Sequence, residues 1–191
     1  MTHNGFLQTK RFLFTPRFTP RATTLLSVFA AGMLLWSCAA PRAYRIVETE
    51  TSRSLVGRAT WQDWQLEARW NKYLDADYAP DAASVQQIRS ALGAGDISFR
   101  LIAATWCSDS REEMPRLYAV FAQCGVQPDD EVELWGVNLS KTEPADLVRA
   151  NALEYVPTLI VLKKGVEIGR IVENPARSWE RDIAALLQKN L

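Results

Sequence analysis

An α/β domain, with a central mixed β-sheet flanked by helices, is the fold class this sequence predicts, on three observations. The apolar run at 99–105 (Phe-Arg-Leu-Ile-Ala-Ala-Thr) is short and bounded by turn residues, as a buried central strand should be, and it feeds a helical pattern that begins at Ser108. Two strand-like runs, 158–162 and 166–172, are separated only by Lys163-Lys164-Gly165, a hairpin signal. Strand and helix patterns otherwise alternate in the order β-α-β-α-β-β-α, after an N-terminal aromatic-rich helical extension.

Taken from the N-terminus, residues 1–37 read as a secretory signal. Lys10, Arg11, Arg17 and Arg21 stand without an acidic residue, and an apolar run follows at 25–36. That run is about 12 residues, against about 20 for a spanning helix. The segment ends Leu35-Trp36-Ser37-Cys38, which resembles the lipobox of bacterial lipoproteins. The resemblance implies that the Cys38 thiol carries lipid and that Cys38 begins the mature chain. An ordinary signal cut near Ala39 or Ala40, or an uncleaved anchor, is the alternative. The expected domains are a signal peptide at 1–37, a flexible tether at 38–58, and a single domain at 59–191 that includes the helical extension.

Loss of the signal also sets the charge. The whole chain balances 22 Lys plus Arg against 22 Asp plus Glu, so removing four cations leaves the mature protein four charges negative. No nucleic-acid partner is expected of such a surface. His3 is the only histidine and leaves with the signal, which excludes a Ser-His-Asp triad, a Cys-His pair and any histidine metal ligand from the mature chain.

Within the domain, Trp61, Trp64, Trp70 and Tyr73 predict one side of a helix packed on the core, the alternative being an aromatic ligand groove. Asp81 starts a second helix, carrying Val85, Ile88 and Leu92, that Gly93-Ala94-Gly95 ends. From 108 to 123 a helix presents Met114, Leu117, Tyr118 and Phe121 on one side, with Pro115 inside it as a kink and Gly125 as its C-terminal cap. A strand is expected at 132–139 and a short helix at 144–152. An amphipathic helix at 178–187, with Trp179, Ile183, Leu186 and Leu187, closes the chain.

Chemistry concentrates at Trp106-Cys107-Ser108-Asp109-Ser110, where a strand runs into a helix. Unpaired N–H groups and the positive end of the helix dipole favour a thiolate at Cys107. Arg111 adds to this and Asp109 opposes it. A Cys-x-x-Cys pair closes its own disulfide, whereas a Cys-x-x-Ser site can only attack and wait for an outside thiol. Cys124 is no substitute for the missing cysteine, because the intervening helix spans about 25 Å and a disulfide needs Cα atoms within about 7 Å. It reads as a small buried hydrophobe. Ser110-x-x-Glu113 reads as a capping box, compatible with a hydrogen bond from Ser110 to the Cys107 sulfur.

Over residues 80–190 the chain resembles the thioredoxin-like family. Trp106 precedes the cysteine, Pro115 follows it by eight residues, Val156-Pro157-Thr158 opens the third core strand, and Lys163-Lys164-Gly165 makes the hairpin. The pair Asp109-Ser110 is similar to that of a group of exported, Bacteroidetes-type thioredoxin-like proteins. The resemblance implies a thioredoxin-like fold, a site made of Trp106, Cys107 and Ser110, a cis bond before Pro157, and a Val156 backbone that pairs with an extended substrate chain. Leu101, six residues before Cys107, stands where thioredoxins carry a buried acid that serves the second thiol; the two losses agree.

The expected function is single-cysteine thiol-disulfide exchange on exported proteins. An external thiol donor would be the second partner, with no cofactor and no metal. The protein would sit at the periplasmic face of a bacterial membrane, attached through its N-terminal lipid only; by resemblance to enterobacterial lipoprotein sorting, Ala39 after Cys38 implies the outer membrane. Two rivals remain open: a non-enzymatic module that binds a peptide or an assembly partner, and peroxide sensing by sulfenic acid at Cys107. The superfamily's peroxidase pattern, Pro-x-x-x-Thr-x-x-Cys, is not met, since Thr105 lies two residues before Cys107 and no proline stands nearby.

Overall fold

The computed structural model describes residues 43–190; the expected signal, Cys38 and the four residues after it lie outside the described residues. Two strands come first, β1 (Tyr44–Glu48) and β2 (Arg53–Ala59), followed by helices α1 (Trp61–Ala68) and α2 (Ala82–Gly93). The chain continues as β3 (Ile97–Ala103), α3 (Ser108–Cys124), a single helical turn α4 (Pro128–Glu131), β4 (Val132–Gly136) and α5 (Ala145–Ala150). It ends with β5 (Thr158–Lys163), β6 (Val166–Val172) and α6 (Trp179–Asn190).

The six strands form one sheet in the order β1-β2-β4-β3-β5-β6. Only β3 and β4 are parallel, joined by α3 as parallel neighbours must be joined by a crossover. β5 runs antiparallel to β3, and β6 antiparallel to β5. The sub-order β4-β3-β5-β6 with crossover α3 is the thioredoxin-like motif, and β1–β2 extends it beyond β4.

Alternation along the central strands gives the sheet two apolar faces. Phe99, Leu101, Ala103, Leu159 and Val161 point into the larger cluster with Ile88, Leu117, Phe121 and Ile183 from α2, α3 and α6. Ile102, Ile160 and Leu162 point the other way, into a smaller cluster with Leu147 of α5, Val156 and Cys107. The reactive-thiol candidate thus belongs to the smaller face.

Most expected elements from Asp81 onward are present, with boundaries moved by a few residues. Asp81 caps α2 by accepting from Ser84 N at 2.9 Å. Gly125 ends α3 at φ 80°, a left-handed conformation suited to glycine. Lys164 and Gly165 turn the β5–β6 hairpin with φ of 54° and 76°, the two positive values of a type I′ turn.

Two expectations are corrected. The described part of the expected tether, residues 43–58, is not a tether: β1 and β2 form a hairpin whose second strand pairs with β4 and buries Ser54, Leu55, Val56, Gly57 and Ala59. Close approach explains the glycine opposite it, because a Cβ on Gly136 would stand 2.2 Å from Leu55 O. Nor does the aromatic segment make one helix. At 3.6 residues per turn Trp70 would fall about half a turn from Trp61, on the wrong side. Instead α1 stops at Ala68, Arg69 turns left-handed at φ 55°, and the chain folds back. Trp64 and Trp70 are thereby both buried, edge to face, while Trp61 stacks on Tyr118 at 3.6 Å between ring centroids. These rings pack into the core and form no ligand groove.

Candidate functional site

β3 carries the chain to the cleft and stops at Ala103; four residues later Cys107 is the N-cap of α3. The connection is a tight turn, with Cys107 N donating to Ala104 O at 3.1 Å, and Arg111 N returning to Cys107 O at 3.1 Å as the first bond of the helix. The N-cap side chain makes no capping bond to the first amides of α3. Trp106 is half-buried and donates from Nε1 to Val137 O at 3.3 Å.

The Cys107 sulfur meets the other half of the site. Its thiol donates to Val156 O at 3.3 Å, and the Val156–Pro157 bond is cis. That loop is pinned on both sides, by Thr158 Oγ1 to Tyr155 O at 2.7 Å and by Glu173 N to Pro157 O at 2.7 Å. Trp106, Cys107, Asp109, Lys141, Tyr155, Val156 and Glu173 line an open cleft of about 340 Å³. A larger hollow of about 610 Å³ lies between the β1–β2 hairpin and Pro144, and its lining holds no cysteine, serine or histidine. Among the described residues no group of three or more His, Cys, Asp or Glu could hold a metal ion.

Ser110 is where the pattern places it, in the first turn of α3, but its contacts differ from those expected. It is fully buried, and its Oγ accepts from Ala104 N at 3.3 Å, with no bond donated to the Cys107 sulfur among the described residues. No capping box forms, because the cap is Cys107. The Glu113 carboxylate instead takes Trp179 Nε1 at 2.9 Å and Arg116 at 2.5 Å, joining α3 to α6. Arg111 is exposed and makes no ion pair among the described residues. Leu101 is fully buried in the larger cluster, apolar where an acid would be needed for a second thiol.

Cys124 ends α3 at the far side. Both Cys107 and Cys124 are free thiols, as the helix length requires. Burial pushes the Cys124 thiol up to about 11. Three lining residues, Lys141, Tyr155 and Glu173, had no sequence signal tying them to Cys107. Lys141 sits on a loop built around Asn138, whose Oδ1 accepts from Thr142 N at 2.8 Å and Glu143 N at 3.0 Å. The only sequence hint was the turn-rich Asn138-Leu-Ser-Lys-Thr-Glu-Pro144 stretch between a strand and a helix.

Sheet order and crossover helix define a thioredoxin-like fold, with Cys107 facing a cis-proline at the N-terminus of that helix. No family model matches the sequence, and no curated protein matches it. Among solved structures, a mutant thioredoxin from Halobacterium salinarum is 19% identical over 53% of this chain and 80% of its own, with a TM-score of 0.35. A protein of unknown function from Pseudomonas aeruginosa is 18% identical over 66% of this chain and 98% of its own, with a TM-score of 0.39. An HIV epitope scaffold is 23% identical over 56% and 73%, with a TM-score of 0.30. Likeness at this level adds nothing to the topology itself.

Proposed function

We propose that this chain carries out single-thiol disulfide exchange on exported proteins, with Cys107 as the nucleophile. The supporting observation is the Cys107 sulfur lying 3.3 Å from Val156 O at the rim of an open cleft, where the backbone before the cis-proline is within reach of an extended chain. Cys107, as thiolate after losing its proton to solvent, attacks one sulfur of a substrate disulfide. The Cys107–substrate disulfide forms and the other substrate sulfur leaves as thiolate. An external thiol then attacks the Cys107 sulfur and expels the second substrate thiolate. A further molecule of that thiol removes the cap as a symmetrical disulfide and restores Cys107. The substrate gains two electrons and two external thiols lose them.

Ser110 has no sulfur with which to resolve the mixed disulfide, so adducts should accumulate. Non-reducing capture in wild type, Cys107→Ser and Ser110→Cys tests this. Adducts are expected in wild type, absent in Cys107→Ser, and released in Ser110→Cys. A wild type that traps nothing would overturn the exchange reading and leave a binding module that uses the same cleft.

Lipid on Cys38 would hold the domain at the periplasmic face of the outer membrane. Cys38→Ala is expected to abolish palmitate labelling and move the protein out of the membrane fraction. Labelling that persists in this variant rules the lipobox out.

A further inference from the structure

Thr105 lies two residues before Cys107 and is 5% exposed, and its hydroxyl is committed to distant parts of the chain. Its Oγ1 donates to Arg53 O at 2.5 Å and accepts from Leu55 N at 3.3 Å, while its carbonyl accepts from Trp70 Nε1 at 3.0 Å. All three partners belong to the N-terminal extension, 35 to 52 residues earlier.

The extension is itself held firm where it makes these bonds. β2 reaches Thr105 because it pairs with β4, the neighbour of β3. The Arg53 guanidinium bridges Glu48 and Glu67, which ties the hairpin to α1. Trp70 is delivered by the left-handed turn at Arg69, and its backbone N–H is taken by Tyr73 Oη at 2.6 Å. From the opposite side the same loop is stapled by Ser110 Oγ on Ala104 N and by Trp106 Nε1 on Val137 O. Valine would fill the space of Thr105 but would leave Leu55 N and Arg53 O without that partner in a buried place.

We propose that Thr105 is a positioning residue for Cys107, and that the N-terminal extension acts through it to keep the sulfur on Val156 O; this rests on the exchange reading above. A loop released from the extension would let the sulfur swing toward solvent and lose its alignment with the Val156 carbonyl. Two probes on the full folded chain separate these effects. Iodoacetamide needs only an exposed sulfur. A hexapeptide whose cysteine is activated as a thionitrobenzoate mixed disulfide needs alignment as well.

Thr105→Val, which removes both hydrogen bonds of the hydroxyl, is expected to lower the ratio of peptide rate to iodoacetamide rate at least about fivefold, the worth of a single such bond, and Thr105→Ser to restore it to within about twofold. Trp70→Phe removes the indole donor while keeping Thr105, so it should shift the ratio the same way by less, and it supplies the reading where Thr105→Val does not fold. A purely structural role would raise both rates together as the domain opens. Equal ratios in Thr105→Val and Thr105→Ser, or a ratio that neither Thr105→Val nor Trp70→Phe moves, overturn the proposal. Should the peptide fail to react with wild type while iodoacetamide does, the exchange reading falls alone. Positioning is then read from iodoacetamide: faster labelling of Cys107 but not of the buried Cys124 in Thr105→Val, with Thr105→Ser unchanged, supports it, and identical Cys107 rates in all three, or a parallel rise at Cys124, overturn it.

Discussion

Cys107 and Cys124 stand at the two ends of α3, about 25 Å apart by helix rise. They are the same residue type in different surroundings. Cys107 caps the helix start, belongs to the smaller apolar face, gives its thiol hydrogen to a carbonyl at 3.3 Å and borders an open cleft. Cys124 is the last helical residue, packed into the larger core, with no polar partner for its sulfur among the described residues and with its thiol pushed up to about 11 by burial. Position, not residue type, separates a candidate nucleophile from a packing group.

Selective labelling is the largest test of that difference. In the folded protein at neutral pH, iodoacetamide is expected to modify Cys107 at least on the order of a hundredfold faster than Cys124, because Cys124 reacts only when the core opens. Peptide mapping by mass spectrometry reads both sites at once. Comparable rates would remove Cys124 from the core.

A second test cuts the core-side link of the same helix. Trp179→Phe deletes the donor that satisfies the buried Glu113 carboxylate, and should cost about 1–3 kcal/mol in urea unfolding. Reactivity at Cys107 is expected to stay unchanged, since Glu113 faces away from the cleft toward α6. A parallel loss at both would mean that the two ends of α3 are coupled.

Alkaline pH sharpens the contrast by a smaller amount. The Cys124 thiol is raised from 9.0 to about 11 in the folded state. Between those values the unfolded chain sheds a proton that the folded chain keeps. The contribution of the neutral buried thiol is therefore whole below about pH 9 and is lost as pH rises toward 11. Tyr78, raised from 10.0 to about 12 by burial and then by Glu180, acts in the same direction at higher pH. Thermal melts should fall along this limb and fall less steeply in Cys124→Ala. An unchanged slope in that variant would assign the limb to other groups.

The smallest effect concerns helix starts. α1 is capped by Thr60, which accepts from Asp63 N at 3.0 Å, whereas α3 has no side-chain cap. Thr60→Ala should cost about 1 kcal/mol in urea unfolding, while Cys107→Ala should cost no capping energy.

Much of the motif was legible because its signals are local. Apolar runs, Asp81, Gly125 and Lys164-Gly165 each act within a few residues, and Cys107 and Pro157 carry their own chemistry. What was not legible depends on partners far away in the chain. The β1–β2 hairpin is polar and glycine-bearing in sequence; it joins the sheet where Gly136 lets Leu55 approach β4. The break at Arg69 follows from where Trp70 must go, to Thr105 O, and not from any helix-stop residue. Ser110 carried two readings by residue type, and only the position of Ala104 N decides its contact. Lys141, Tyr155 and Glu173 converge from three loops, which no spacing rule joins.

The hairpin also changes how the sheet ends. Without it, β4 would present an unpaired row of amides and carbonyls beside the buried Val132 and Leu134. With it, the outermost strand is β1, where Arg45 and Glu48 are exposed and are engaged by Glu143 and Arg53. Charged side chains on a border strand discourage the addition of another chain. The opposite border, β6, carries the same device in Glu167 and Arg170, ion-paired at 2.6 Å, so charge guards both ends of the sheet.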